Sequence, residues 1–321
     1  MNRTAVQVSA LLCAVLLCAL LLAGAAGRQE RQPETRLQLV ATFYPIYILT
    51  RNLTDGVEGV RVQNLVPATT GCLHDYQLSP QELVSLRGAD ALILNGAGAE
   101  TFLDPVRRRY PDLTLIDSST GIPLLSEEHD HGAEHDHDHA GLSHDGDTHS
   151  AYNSHLWVSP SRYLQQLSSV CEGLCALDPD QAEAYRSNAA RYAARIGAVA
   201  ARLRQAAAAL PSDISVVLFH DSLSYLADDL GLPVLATLSV GEEEGVSAAA
   251  LSGASDRIRA AGPVLFLYDA QYRDLTYAYL ARSAARSASL FLNTAVSGDD
   301  DPDAWCRAME SIAAALEEVT L

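Results

Sequence analysis

The chain has 321 residues, a formal net charge of −18 and no lysine, so all of its basic residues are arginines. This acidity argues against nucleic acid as a partner, because binding to phosphates requires a basic surface. Hydrophobic residues make up 48% of the chain. At this length they suffice for one large buried core or two smaller ones.

Residues 1–27 have the pattern of an export signal. Arg3 supplies a positive charge, the run from Val6 to Ala23 is almost entirely apolar, and the small residues Ala23-Gly24-Ala25 suit a signal peptidase. The apolar run also approaches the ~20 residues that cross a bilayer, so an uncleaved N-terminal anchor is the alternative. In both cases we expect the rest of the chain to lie outside the cytoplasm, in the periplasm or at the outer face of the cytoplasmic membrane.

Short apolar runs alternate with helical patterns in two separate stretches of the chain. The runs of the first stretch are Leu37–Ala41, Val62–Val66, Ala91–Leu94 and Leu113–Ile116. Those of the second stretch are Ser215–Phe219, Val234–Leu238, Val264–Tyr268 and Ala288–Leu292. Helical spacing marks the segments Pro80–Leu86, Thr101–Arg109, Leu223–Leu230, Ala248–Ala261 and Leu275–Arg286. We therefore predict an α/β fold with two lobes, each a mostly parallel sheet flanked by helices.

A different kind of segment separates the two stretches. Asp178 to Leu210 is rich in alanine, arginine and glutamine, and its only glycine or proline residues are Pro179 and Gly197. This composition predicts one long rigid helix that joins the lobes, with Pro179 in its first turn. The predicted boundaries are 36–158 for the N-terminal lobe, 159–210 for the helical region and 211–321 for the C-terminal lobe.

Seven of the ten histidines fall within the acidic segment 127–150. They are His129, His131, His135, His137, His139, His144 and His149. The segment has too few apolar residues to fold alone, so we expect a mobile loop that projects from the first lobe. Its imidazoles and carboxylates suit an auxiliary metal-binding loop, weaker than a preformed site. A solvated insertion without a function is the alternative.

The other three histidines stand far apart along the chain. His220 directly follows the predicted strand Ser215–Phe219, and His74 follows the strand Val62–Val66 through a short loop. Open parallel sheets bind ligands outside the carboxyl ends of their strands, so these two histidines and His155 can converge where the lobes face each other. Imidazole is the commonest side-chain ligand for zinc, so the placement predicts a metal site.

Several segments, read in chain order, resemble a known family. They are ATFYPIY, VPATTGCLHDYQLSPQEL, GADALILNGAGAE, SHLWVSPSRY, LDPDQAEAYRSNAARY, LFHDSLSYLADDLGLPV and the closing helix. Together they resemble the metal-binding solute receptors of ABC importers, in the zinc/manganese branch, and the histidine-rich loop is similar to that of the zinc-specific members. The resemblance implies a two-lobed receptor that binds one metal ion between its lobes and delivers it to a membrane permease.

The resemblance also implies a set of ligands. His74 in HDYQLSP, His155 in HLWVSP and His220 in FHDSLSYLADDLGL match the first, second and third ligands of the family. Manganese-binding members carry a carboxylate at the third position, so His220 favours Zn²⁺ over Mn²⁺. Many members place an aspartate at the fourth position, where this chain has Asn293. The fourth ligand is Asn293 through its oxygen, a water, or a group from the loop.

Two aspartates adjoin the predicted ligands. Asp75 follows His74 and Asp221 follows His220. Carboxylates in such positions often accept a hydrogen bond from a ligating imidazole and orient it. We therefore predict that both aspartates support the metal site without binding the ion themselves.

Four cysteines follow the export signal: Cys72, Cys171, Cys175 and Cys306. An oxidising compartment permits disulfides, but the sequence does not predict a pairing. Our default interpretation is that they are small core residues, with Cys72 the candidate exception because it lies two residues before His74.

Three classes of function share such a metal site. We predict a monomeric zinc receptor for an ABC importer, with no enzymatic activity. A secreted zinc-dependent hydrolase is the alternative, because three histidines with an open position also describe a catalytic zinc; against it, the chain has no HExxH motif. A surface adhesin or metal buffer would differ from the receptor only in its partner.

Overall fold

The fold contains two four-stranded parallel sheets. The structure is a computed structural model, which describes residues 35–70, 73, 76–126, 152–238, 246–272 and 278–321. The first sheet contains β1 (Leu37–Ala41), β2 (Val60–Asn64), β3 (Ala91–Leu94) and β4 (Thr114–Asp117), in the order β2-β1-β3-β4. The second contains β5 (Ser215–Leu218), β6 (Val234–Thr237), β7 (Val264–Asp269) and β8 (Ser287–Leu292), in the order β6-β5-β7-β8. All of these strand pairs are parallel, which confirms the predicted α/β class.

Helices connect and cover the strands. They are α1 (Tyr44–Leu53), α2 (Pro80–Ser85), α3 (Leu103–Arg109), α4 (Pro160–Leu177), α5 (Ala182–Ala208), α6 (Ser224–Leu230), α7 (Ala248–Ala260) and α8 (Ala304–Glu317). Short 3-10 turns occur at Leu156–Val158, Pro179–Gln181, Asp221–Leu223 and Ala278–Ser283. Within the described ranges, no helix combines the length and the apolar composition that crossing a membrane demands.

Local sequence sets where two of the helices begin. Ser79 caps α2: its hydroxyl accepts from the amide of Glu82 at 3.2 Å, and the Glu82 carboxylate accepts from the Ser79 amide at 2.7 Å. Ser159 caps α4 by accepting from the amide of Arg162. Proline follows both caps, at a position where its missing N–H costs no hydrogen bond.

The long helix between the sheets is shorter than predicted. α5 begins at Ala182 instead of Asp178, because Pro179–Gln181 forms a separate 3-10 turn before it. The 27 residues of α5 span about 40 Å at ~1.5 Å per residue. α5 packs against α4 and α8, so the connection between the sheets is a layer of helices.

Other parts of the structure also differ from the prediction. β2 begins two residues earlier than predicted, because Val60 pairs with Leu37 at the start of β1. The helix predicted at Leu275–Arg286 is wrong in its described part, which is the 3-10 turn Ala278–Ser283 followed by β8. The sequence reading also missed α1, which has Pro45 in its first turn.

A continuous apolar core runs through both sheets and the helices between them. The Trp157 indole donates to the Thr294 carbonyl at 3.0 Å, and the Trp305 indole donates to the Trp157 carbonyl at 2.8 Å. Trp305 also stacks on Tyr163, with ring centroids 4.3 Å apart. Leu37–Leu321 accordingly form one compact unit, and the lobe boundaries at residues 158 and 211 stay a prediction.

Candidate metal centre

Polar side chains gather at the carboxyl end of each sheet, between its two central strands. In the second sheet, His220 lies two residues beyond β5, and Asp269 is the last residue of the neighbouring β7. In the first sheet, Thr42 directly follows β1 and Asn95 directly follows β3. The strand order of an open α/β sheet reverses at this point, which leaves a crevice that binds ligands.

Two of the three solitary histidines meet in this region. Ligand atoms of His155, His220 and Asp221 all lie within 4.8 Å of one another. The two imidazole rings are perpendicular, with centroids 5.4 Å apart. Both histidines are buried, whereas Asp221 is partly exposed. Residues more than sixty positions apart thus form one cluster of nitrogen and oxygen ligands.

Other predicted site residues cannot be located. His74, Asp75 and the histidines of the predicted 127–150 loop lie outside the described residues, as does Cys72. Their proposed roles, and the existence of the loop as a metal-binding element, stay predictions.

Asn153 fixes the orientation of the His155 ring. Its Oδ1 lies 3.0 Å from His155 Nδ1 and also accepts from the His155 amide at 2.9 Å. An amide oxygen only accepts hydrogen bonds, so the ring must carry its proton on Nδ1. Nε2 therefore carries the lone pair through which this ring would bind a cation.

The side-chain amide of Asn153 also links His155 to the second sheet. Asn153 Nδ2 donates to the carbonyl oxygen of Asp221 at 2.8 Å and lies 3.3 Å from its Oδ2. Asp221 Oδ2 in turn lies 3.7 Å from His155 Nδ1. Asn153 thus connects the segments that carry the two histidines.

His220 has two polar neighbours at one ring nitrogen. The amide of Ser222 donates to Nδ1 at 3.0 Å, and Asp221 Oδ1 lies 3.0 Å from the same atom. The ring stacks on Tyr272, with centroids 4.3 Å apart and planes 11° from parallel. Because Nδ1 accepts from Ser222, it carries a lone pair in this arrangement. A neutral ring that binds a cation through Nε2 has its proton on Nδ1 instead, so binding would replace the bond from Ser222 with one to Asp221 Oδ1.

Asp269 supports this arrangement from β7. Its buried carboxylate accepts from the hydroxyls of Ser222 at 2.8 Å and Thr294 at 3.0 Å, and from the amide of Gln271 at 3.1 Å. Ser222 is the residue whose amide contacts His220, so Asp269 holds the turn on which that histidine sits.

Asn293 occupies the strand end where the resemblance places a fourth ligand. Its side chain is exposed, and its Oδ1 accepts from the amide of Ala295 at 2.9 Å. This bond uses one lone pair of the only side-chain atom that asparagine can offer a cation. A role for Asn293 as ligand stays a prediction.

Aromatic rings enclose the His155 side of the cluster. Trp157 lies 5.2 Å from the His155 ring and contacts Phe43 edge-to-face at 4.9 Å, measured between centroids. All three side chains are buried. Their exclusion of water strengthens electrostatic attraction between a cation and its ligands.

The three described cysteines do not belong to this cluster. Cys171, Cys175 and Cys306 are free thiols. Burial and, after it, the neighbouring Cys175 raise the pKa of the Cys171 thiol to about 11. A thiol with such a pKa stays protonated at neutral pH and is a poor nucleophile.

Glu100 is a buried acidic residue in the loop that follows β3 of the first sheet. The pKa of its carboxyl group is raised from 4.5 to about 7, mainly by burial; hydrogen bonds from Thr42, Asn95 and Gly96 oppose this rise, and the charge of Asp117 adds to it. Because the folded protein retains a proton that the unfolded chain loses, the contribution of Glu100 to stability is complete below pH 4.5. It is lost as the pH rises through about 7.

We therefore expect the free energy of unfolding of the wild type, relative to that of Glu100→Gln, to fall by about 3 kcal/mol between pH 4.5 and pH 8. Urea denaturation of both proteins across this range measures the difference. A difference that is independent of pH would contradict the assignment.

Four residues at the cluster were not predicted from the sequence: Asn153, Ser222, Asp269 and Tyr272. Asn153 and Ser222 each lie two positions from a predicted ligand, which is the one signal that could have suggested them. Asp269 and Tyr272 carry no such signal, because β7 meets β5 only in the folded sheet.

Known proteins resemble this chain in sequence. The sequence matches a family profile described as "ZnuA: Zinc-uptake complex component A periplasmic" over residues 39–319. It is similar to the zinc-binding lipoprotein AdcA of Streptococcus pneumoniae, with 26% identity over 238 residues that cover 72% of this chain and 44% of AdcA. It is also similar to the high-affinity zinc uptake system protein ZnuA of Bacillus subtilis, with 25% identity over 245 residues and 74% of each chain covered. The chain thus spans less than half of AdcA.

Solved structures share the architecture. The SBP FpvC of Pseudomonas aeruginosa in complex with Ni²⁺ has a TM-score of 0.69 and 22% identity, covering 89% of this chain and 98% of FpvC. A crystal structure of ZnuA has a TM-score of 0.65 and 23% identity, covering 87% of this chain and 98% of ZnuA. At such identity the likeness establishes the two-lobed fold alone.

Proposed function

We propose the following function for this chain, which belongs to the family of ZnuA, the periplasmic component A of zinc-uptake complexes. The chain is an extracytoplasmic receptor that captures one Zn²⁺ ion between its lobes and delivers it to an ABC-type importer. The observation that carries this proposal is the cluster of His155, His220 and Asp221, whose ligand atoms lie within 4.8 Å of one another.

In this proposal each member of the cluster has its own role. His155 binds the ion through Nε2, since Asn153 holds its proton on Nδ1. His220 also binds through Nε2; its proton then lies on Nδ1 and is accepted by Asp221, in place of the hydrogen bond from the Ser222 amide. His74 supplies a further imidazole, and Asn293, a water or a group from the predicted loop completes a tetrahedral site.

Two considerations favour zinc as the cargo. Imidazole nitrogen suits Zn²⁺, whereas Mn²⁺ prefers carboxylate and other oxygen ligands. The curated relatives AdcA and ZnuA are also named for zinc. The predicted loop 127–150 would collect zinc near the site and release it more readily, since an unfolded segment loses entropy when it wraps an ion.

The partner is the membrane permease of an ABC importer, and the receptor works as a monomer outside the cytoplasm. Membership of an uptake complex supports the partner, and the relative AdcA is named a lipoprotein. The apolar run in residues 1–27 supports export.

The chain is a binding protein without catalytic activity of its own. A zinc hydrolase needs a general base facing a metal-bound water, but Asp221 faces the ring nitrogens of both histidines and the Asn153 amide. Ester or peptide cleavage that disappears on zinc removal would favour the hydrolase. A surface adhesin or metal buffer would bind zinc equally well but would not interact with a permease.

Zinc stoichiometry tests the proposal. Competition against a chromogenic chelator should find one tightly bound zinc ion per chain, both in the mature protein and in a variant that lacks residues 127–150. Loss of all tight binding on deletion of the loop would contradict an inter-lobe site.

A further inference from the structure

A buried polar network fills the carboxyl end of the first sheet. The Glu100 carboxylate accepts from the Thr42 hydroxyl and the Asn95 amide, both at 2.7 Å, and from the Gly96 amide at 3.1 Å. Thr42 follows β1 and Asn95 follows β3, so this carboxylate holds the ends of both central strands in fixed positions.

The loop between Asn95 and Glu100 has a strained backbone. Gly96, Ala97 and Gly98 have φ angles of +79°, +52° and +83°. For Ala97 this left-handed conformation is unfavourable and persists only where surrounding contacts impose it. The Glu100 carboxylate supplies such a contact at Gly96, and the Ser119 hydroxyl accepts from the Ala97 amide at 3.0 Å.

The network extends from Asn95 to the segment that carries His155. Asn95 Nδ2 donates to the carbonyl oxygen of Ser154 at 2.8 Å. Gln166 Nε2 donates to Asn95 Oδ1 at 3.0 Å, which fixes the direction of the Asn95 amide. Asn95, Ser154 and Gln166 are all fully buried, so water does not substitute for these hydrogen bonds.

The Ser154 carbonyl oxygen, which accepts from Asn95, belongs to the peptide group that precedes His155. Its carbonyl oxygen, on Ser154, is held by Asn95, and its N–H, on His155, is held by Asn153 Oδ1 at 2.9 Å. The peptide group is planar, so contacts at both ends fix its orientation. That orientation sets the direction in which the His155 side chain leaves the backbone.

We infer that Asn95 is a positioning residue for metal binding, which places the His155 ring through the Ser154–His155 peptide. This inference rests on the proposed zinc function. Glu100 and the strained loop hold Asn95, Asn95 holds the peptide, and the peptide aims the imidazole at the ion. The first sheet thereby contributes to the metal site through a residue that does not contact the metal.

The test compares two buried asparagines in a protein that lacks residues 127–150. Asn188 is a matched control: its Nδ2 donates to the carbonyl oxygens of Leu53 and Asp55 at 2.9 and 2.8 Å, on the α5 side of α1. Asn95→Leu and Asn188→Leu each remove a buried amide of similar size. Zinc affinity is measured by chelator competition, and the visible spectrum of bound Co²⁺ reports the coordination geometry.

Asn95→Leu should weaken zinc binding about tenfold or more, as does loss of other groups that orient metal ligands, and should alter the Co²⁺ spectrum. Asn188→Leu should lower the melting temperature but leave zinc affinity and the spectrum unchanged. If Asn95→Leu fails to fold, the smaller Asn95→Ala takes its place.

Wild-type zinc affinity and Co²⁺ spectrum in the Asn95 variant would overturn the inference, as would equal losses of affinity in both variants. The parent protein separates this failure from failure of the proposed function. If the loop-deleted parent itself binds no tight zinc, the function is wrong; if it binds zinc and the Asn95 variant does so equally well, only the positioning role is wrong.

Discussion

Replacing His220 by alanine in a protein that lacks residues 127–150 is expected to abolish tight zinc binding. The loss should exceed the roughly 10–100-fold that follows removal of a group that only orients a ligand. His155→Ala should have the same effect, since the two imidazoles meet in one cluster. Chelator competition measures both affinities.

The control for this result is the loop deletion itself. It removes seven histidines, whereas each substitution removes one. If the solitary histidines form the tight site, the single substitution has the larger effect. A His220→Ala variant that still binds one zinc ion tightly would show that the described cluster is not the site.

Asn153→Ala is expected to weaken zinc binding roughly 10–100-fold, although Asn153 does not bind the ion. Its side chain makes the hydrogen bond that places the His155 proton on Nδ1 and the bond that ties this segment to Asp221. Without the first bond, His155 is free to carry its proton on Nε2, the nitrogen that must bind zinc. Affinity and the ¹⁵N chemical shifts of the His155 ring are the measurements.

Asn153→Asp provides the matched comparison. Aspartate retains an oxygen that accepts from His155 Nδ1, but it loses the donor to Asp221. We therefore expect the ring proton to stay on Nδ1 and the affinity to lie between those of the wild type and Asn153→Ala. Nδ1 protonation that persists in Asn153→Ala would contradict the assigned role.

Much of the fold could be predicted from the sequence, because buried parallel strands are continuous apolar runs. β1 and β3 begin and end where predicted. The errors occurred where tertiary contacts set the boundary, as at Val60, which joins β2 only because Leu37 pairs with it. The error at Pro179–Gln181 has a different cause: the composition of this segment does not distinguish a separate 3-10 turn from the first turn of an α-helix.

The candidate site was only partly accessible to such reasoning. The position of His220 beyond β5 follows from the apolar run before it, and Asp221 was expected beside that ring alone. The structure also brings the Asp221 carboxylate within 3.7 Å of His155. That contact and the Asn95–Ser154 hydrogen bond join residues 66 and 59 positions apart, so no pattern of neighbouring residues could predict them.

In the proposed site, His155 and His220 bind one zinc ion together, each through Nε2. Anomalous diffraction at the zinc edge, from crystals of the loop-deleted protein grown with zinc, tests it most directly. We expect one zinc peak about 2.0–2.1 Å from Nε2 of both rings, with Nδ1 of His155 bonded to Asn153. A peak that is bonded to Nδ1, or that lies away from these two residues, would contradict it.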